Sequence, residues 1–134
     1  MFSKIRAIHI AVSNVEEAAK QYTESFGLKV SQSGTMPALG IKNALFPIGD
    51  GVIELIEPLN PEEGPVAKFL KTRGEGVYMV AWEVPDLDTA IKSLKKKGVR
   101  LINDDPKTRA QGTPVFIHPK STRGLLVELV QGSH

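Results

Sequence analysis

The 134-residue sequence contains no cysteine. Disulfides, thiolate zinc sites, iron–sulfur clusters, haem-thiolate ligation and a cysteine nucleophile are therefore excluded. Histidine is almost as scarce: there are three, His9, His118 and His134, and the last closes Gly132-Ser133-His134, which reads as a tag remnant over 132–134. Two remaining histidines leave little room for a histidine-rich metal site. Long apolar runs are also lacking. No stretch approaches the roughly 20 residues needed to span a bilayer, and the N-terminus shows no signal-peptide core. The expectation is a cytoplasmic protein with no membrane partner. An excess of one charge is missing too, since Lys plus Arg is 17 and Asp plus Glu 15, a net charge of +2. That is too weak to argue for nucleic acid, and aromatic residues at 6% offer no base-stacking platform. What remains, 41% hydrophobic and 24% charged, is the balance of an ordinary globular domain with enough chain for one core.

The chain carries an internal repeat. Residues 7–28, AIHIAVSNVEEAAKQYTESFGL, alternate apolar positions and then switch to helical spacing at Val15, Ala18, Ala19 and Tyr22. Residues 79–99, MVAWEVPDLDTAIKSLKKKGV, do the same at Leu87, Ala90, Ile91 and Leu94, each 72 positions later (87 − 15 for the first pair). Period-2 alternation predicts a strand, and i, i+3, i+4, i+7 spacing predicts one apolar stripe on a helix. Asn14 and Asp86 share the offset and stand where N-caps belong, Glu17 follows Asn14 at capping-box distance, and Gly27 and Gly98 stop the helices. Residues 45–58, LFPIGDGVIELIEP, then correspond to 116–131, FIHPKSTRGLLVELVQ, with Glu54 matching Glu128 across a turn that is two residues longer in the second copy. Each half therefore reads as strand, helix and three strands, with a short helix between them at Val66–Leu70. A half this short cannot bury its own sheet face, so the two are expected to combine into one curved sheet around a cleft. The predicted organisation is a single α+β domain over 1–131: module one at about 4–60, a connecting segment at about 61–74 and module two at about 77–131.

Five blocks in order carry a resemblance to a known family: IAVSNVEEA, FPIGDGVIELIEPLNP, VAKFLKTRGEG, AWEVPDLDTAIKSLKKKGVRLI and QGTPVFIHPKSTRGLLVEL. The sequence resembles the vicinal oxygen chelate superfamily, also called the glyoxalase/bleomycin-resistance/dioxygenase proteins, and within it the methylmalonyl-CoA epimerases. The resemblance implies two βαβββ modules in a half-open, barrel-like sheet, and a homodimer. It also implies a divalent metal held by one ligand from each of four strands. Those four positions are occupied here by Ala7, Glu54, Met79 and Glu128. Alanine has no donor atom, and a thioether suits soft ions rather than Mg, Mn or Co. The resemblance further implies a proton-transfer glutamate on the strand after the first module, and the block MPALGIK places Ala38 where it would lie. The resemblance thus implies a retained scaffold with a degenerate metal site. No cofactor is expected, and a divalent metal (Co, Mn, Zn or Ni) enters only if His9 rebuilds the site.

His9 lies two residues beyond Ala7 and so shares its strand face. It can be a ligand displaced by one pleat, a proton-transfer partner for Glu54 or Glu128, or a histidine satisfied within the wall of the cleft. A two-residue step moves a side chain about 6.5 Å, which is too far to reuse an unchanged metal position. Glu54 and Glu128 can act as acid and base on opposite faces of an α-carbon, as racemisation requires, with His9 or backbone N–H groups stabilising the enolate. They can equally be relics, hydrogen-bonded to a neighbour. Around them, Gln111, Lys120 and Ser121 are candidate ligand contacts, beside Ala7, Ala38 and Met79 lining an enlarged apolar cleft. Pro, Lys, Ser and Thr are also ordinary turn residues, so the 118–122 turn has a plain structural reading, and His118 reads as part of it. The Gly74-Glu75-Gly76 segment precedes a strand and is not a nucleotide loop. The lysines at 92 and 95–97 suit a helix C-terminus. Two functions follow. One is an isomerase or lyase acting on a small carbonyl or acyl-thioester ligand by glutamate proton transfer. The other is a non-catalytic protein that binds or sequesters such a ligand.

Overall fold

The structure is a computed structural model and describes residues 1–132; residues 133 and 134 of the expected tag remnant lie outside the described residues. Eight strands and three helices follow the order β1 (Lys4–Ala11), α1 (Val15–Phe26), β2 (Gln32–Met36), β3 (Ile41–Ile48), β4 (Gly51–Pro58), α2 (Pro65–Arg73), β5 (Gly76–Val84), α3 (Leu87–Lys96), β6 (Leu101–Ile102), β7 (Val115–Ile117) and β8 (Val127–Gln131). Short 3-10 turns occupy Pro37–Leu39 and Pro119–Ser121. Both halves are therefore βαβββ, as the repeat predicts. The chain divides into two compact units, one of residues 7–78 and the other of residues 1–6 with the segment from Met79 onward.

In the unit of residues 7–78, β2 pairs antiparallel with β3, β3 antiparallel with β4, and β4 parallel with β1. The β3–β4 hairpin closes on Gly49-Asp50, where Gly49 at φ +58 supplies the positive backbone angle of a two-residue turn. Strand alternation sorts the side chains into two layers. Ala44, Phe46 and Leu55 pack against Val12 and Val15, with Ala18, Ala19 and Tyr22 of α1 on the same side. Phe46 and Leu55 are completely buried, and each such side chain stabilises the fold by about 1.5–3 kcal/mol. On the other face Ala11, Ile41 and Ile56 meet Val66 of α2, together with Phe69, Leu70 and Tyr78.

The start of α1 is fixed by three carboxylate or amide oxygens. Asn14 caps the helix by accepting from the Glu17 N–H at 3.0 Å, Glu57 Oε1 accepts from the Val15 N–H at 2.8 Å, and Glu75 Oε2 from the Ser13 N–H at 2.9 Å. Glu75, from the segment read as a nucleotide-loop lookalike, thus serves a structural role. Gly27, in the left-handed region at φ +69, ends the helix.

The other unit repeats this plan: β6 pairs antiparallel with β7, β7 antiparallel with β8, and β8 parallel with β5. Ala90, Ile91 and Leu94 of α3 pack on Val84, Val115, Ile117, Val127 and Leu129, and Trp82 joins this cluster. Phe2 meets the Trp82 ring edge-on at 5.2 Å. One capping expectation is corrected. Asp86 occupies the N-cap position but makes no side-chain cap: its Oδ2 accepts from the Thr89 hydroxyl at 2.7 Å, while the Leu87 N–H donates to Gln131 Oε1. At the other end Lys97 is the cap residue, and Gly98 follows at φ +81 with the Val99 N–H reaching back to the Leu94 carbonyl. That is a Schellman closure, with the glycine one position beyond the cap.

Candidate functional site

Strand β1 sets the first part of the site. Its odd positions, Ala7, His9 and Ala11, are buried on the face opposite α1. Parallel pairing of β1 with β4 puts His9 directly across from Glu54, and antiparallel pairing of β3 with β4 puts Leu45 across from Glu54 with Asn43 two residues along. Diagonal neighbours on one sheet face lie within reach of long or polar side chains. His9 Nδ1 accordingly sits 3.3 Å from Glu54 Oε1, and Asn43 Nδ2 donates to Glu54 Oε2 at 3.1 Å. The Asn43 amide also reaches the Met36 sulfur on β2 at 3.3 Å. Both carboxylate oxygens of Glu54 are thus engaged, in a position where its side chain is 16% exposed.

Among the described residues, His9 is the only polar or charged residue that is buried, at 8% exposure. Burial favours the neutral imidazole and pushes its pKa below the usual histidine value; the Glu54 carboxylate pulls the other way, and burial prevails. The resting pair is a neutral imidazole beside a carboxylate. Such a pair can accept a proton at either member and still present one imidazole N–H as a donor.

Glu128 holds the equivalent position on β8. Val127 and Leu129 on either side of it pack toward α3, so Glu128 faces the opposite side of its sheet, flanked by Ala81 of β5 and Phe116 of β7. Met79 lies two residues before Ala81, on the same strand face, and is half-buried.

The remaining candidates sit on loops. Ala38 is exposed on the Pro37–Leu39 turn, and Gln111 is exposed between β6 and β7. Lys120 is exposed, and its backbone N–H donates to His118 Nδ1 at 3.0 Å. The Ser121 hydroxyl accepts from the Arg100 N–H at 2.9 Å, tying the turn to the residue preceding β6. The plain structural reading of the 118–122 turn accounts for these bonds. His118 acts as its cap, with its pKa held down by desolvation first and then by Arg100 and Lys120. Asn43 escaped the sequence reading: a single asparagine in KNALFPI matches no motif, and only the hairpin register places it beside Glu54. Among the described residues, no group of three or more His, Cys, Asp or Glu is placed to hold a metal ion.

Residues 7–116 match the family model of the glyoxalase/bleomycin resistance protein/dioxygenase superfamily, and the chain belongs to that superfamily. Within it the chain is similar to acyl-CoA epimerases. It is 37% identical over 134 residues to the ethylmalonyl-CoA/methylmalonyl-CoA epimerase of Cereibacter sphaeroides, covering 98% of this chain and 99% of that protein. It is 35% identical over 130 residues to the human mitochondrial methylmalonyl-CoA epimerase, covering 96% and 73% respectively. A solved methylmalonyl-CoA epimerase in complex with methylmalonyl-CoA and NH4+ superposes with a TM-score of 0.85 at 28% identity, covering 99% of this chain and 96% of that one. The fold is the mixed α+β, glyoxalase-like fold of these epimerases, as the resemblance implied.

Proposed function

We propose that this chain is a divergent epimerase-like isomerase that exchanges the α-proton of a small acyl-CoA thioester by acid/base chemistry at Glu54 and His9. The observation that carries this reading is the His9–Glu54 contact at 3.3 Å on a buried strand face, with the second Glu54 oxygen held by Asn43. A carboxylate fixed at both oxygens is preorganised to take a proton from carbon without first reorienting. The likeness to the Cereibacter and human epimerases supports the substrate class, an acyl thioester whose α-carbon is acidified by its carbonyl.

In this scheme the α-carbon–hydrogen bond breaks, the proton passes to the Glu54 carboxylate, and the electron pair moves onto the thioester oxygen as an enolate. The neutral His9 ring has one N–H, and with Nδ1 against Glu54 Oε1 that N–H orients the carboxylate for the transfer. Return of a proton from water to the opposite face of the enolate completes inversion.

The four family metal positions do not suit a hard or borderline cation. Ala7 contributes no donor and Met79 only a thioether, leaving Glu54 and Glu128. The proposed proton transfer therefore uses side chains of this chain alone.

The test is solvent exchange. With 2-methylmalonyl-CoA and a short panel of other acyl-CoA thioesters in D2O, mass spectrometry should show the protein catalysing one-deuteron incorporation at the α-carbon. Glu54→Gln should abolish it. Tight binding of the same thioesters without any exchange in the unaltered protein would instead make the chain a binding or sequestering protein.

A further inference from the structure

We propose that Asn43 is a positioning residue for this chemistry, holding the Glu54 carboxylate in the one orientation that presents Oε1 to His9. The inference rests on the proposed function above for its catalytic consequence, although its geometry stands without it.

A glutamate side chain has three rotatable bonds, and a carboxylate tied at a single oxygen can still swing about its terminal bond. Here the two oxygens have different partners. Oε1 faces His9 Nδ1 at 3.3 Å, and Oε2 accepts from Asn43 Nδ2 at 3.1 Å. Asn43 and His9 come from strands on opposite sides of β4, so the carboxylate is gripped across the width of three strands. Position 43 is suited to this task. It shares the sheet face of Leu45, while its neighbour Lys42 points to the other face and pairs with Glu16 of α1 at 3.7 Å. The Asn43 amide is itself steadied by the Met36 sulfur at 3.3 Å, which favours the amide orientation with nitrogen toward Glu54. An asparagine is also the right chemical type, because it can donate to the carboxylate without adding a charge that would compete with His9 for it.

The experiment pairs a spectroscopic reading with kinetics on the full chain. Long-range 15N–1H correlation spectra report the protonation and hydrogen bonding of the His9 ring nitrogens with no substrate present. Asn43→Leu removes the donor; Asn43→Asp keeps the shape but offers an acceptor, and serves if the leucine variant does not fold. Both variants are expected to shift the His9 Nδ1 resonance. Both are also expected to lower kcat for α-proton exchange by roughly 10- to 100-fold, the order of loss seen when a catalytic group is misplaced by about 1 Å, with KM within twofold. An unchanged His9 Nδ1 resonance in a folded variant overturns the inference, whatever the activity. An equal rise in KM with kcat intact also overturns it, because Asn43 would then be contributing to binding rather than to positioning. If the unaltered protein shows no exchange, the proposed function fails, and the His9 resonance alone decides whether Asn43 orients Glu54.

Discussion

His9 stands directly across from Glu54 on the paired strands β1 and β4, and the same register recurs in the second repeat as Ala81 across from Glu128. The two halves thus share one pairing scheme, and the histidine is the departure from it. Placing an imidazole where the other repeat has a methyl group turns one of two equivalent carboxylates into a carboxylate–imidazole pair. Because Asn43 holds the other oxygen, that pair has a defined geometry.

Burial sets how this pair responds to acid. The folded-state pKa of His9 lies below its unfolded value, so between the two values the unfolded chain binds more protons. Stability contributed by the neutral ring is fully present above the unfolded pKa, near 6.5, and is lost as pH falls below it. His118, held down in the same direction, adds to the effect. Thermal unfolding should therefore show a lower Tm at pH 5.5 than at pH 7.5, and His9→Gln should shrink that difference without removing it. A Tm difference unchanged by His9→Gln would contradict the assignment.

The two N-cap positions should respond unequally. Asn14 makes a cap bond to the Glu17 N–H, and its replacement by alanine removes it at a cost of about 1 kcal/mol. Asp86 makes no such bond, so Asp86→Ala should be the milder change. Urea midpoints of the two variants measure the difference, and equal losses would show that the repeat capped both helices alike.

Much of this was legible in the sequence, for identifiable reasons. The 72-residue offset fixed both βαβββ halves, because strand and helix periodicities are local and the apolar stripes of α1 and α3 are unbroken. The matching of Glu54 with Glu128 follows from the same repeat, at 74 positions because the second copy's turn is two residues longer. What the sequence left open was long-range. Asp86 is a local exception: it looks identical to Asn14 as a cap, but its Oδ2 takes the Thr89 hydroxyl rather than a backbone N–H. Asn43 has no local signature, and its meaning depends on the β3–β4 register. The Ser121 hydroxyl accepts from the Arg100 N–H, 21 residues away, a bond that no local pattern announces.

Metal loading follows from the donor set. After incubation with Co2+, Mn2+ or Zn2+ and desalting, the protein should retain far less than one metal per chain if, as proposed, Ala7 and Met79 stand at ligand positions, since neither offers a hard donor. Mass spectrometry of metal content checks this. About one metal per chain, lost on His9→Ala, would show that a site had been rebuilt around His9.

The most direct measurement is the rate of α-deuteron incorporation into 2-methylmalonyl-CoA in D2O with excess chelator present, for the unaltered chain and for Glu54→Gln side by side. Proton transfer at the His9–Glu54 pair predicts exchange that persists in chelator and falls to the uncatalysed rate in Glu54→Gln. Exchange that chelator abolishes, or that survives Glu54→Gln undiminished, would contradict it.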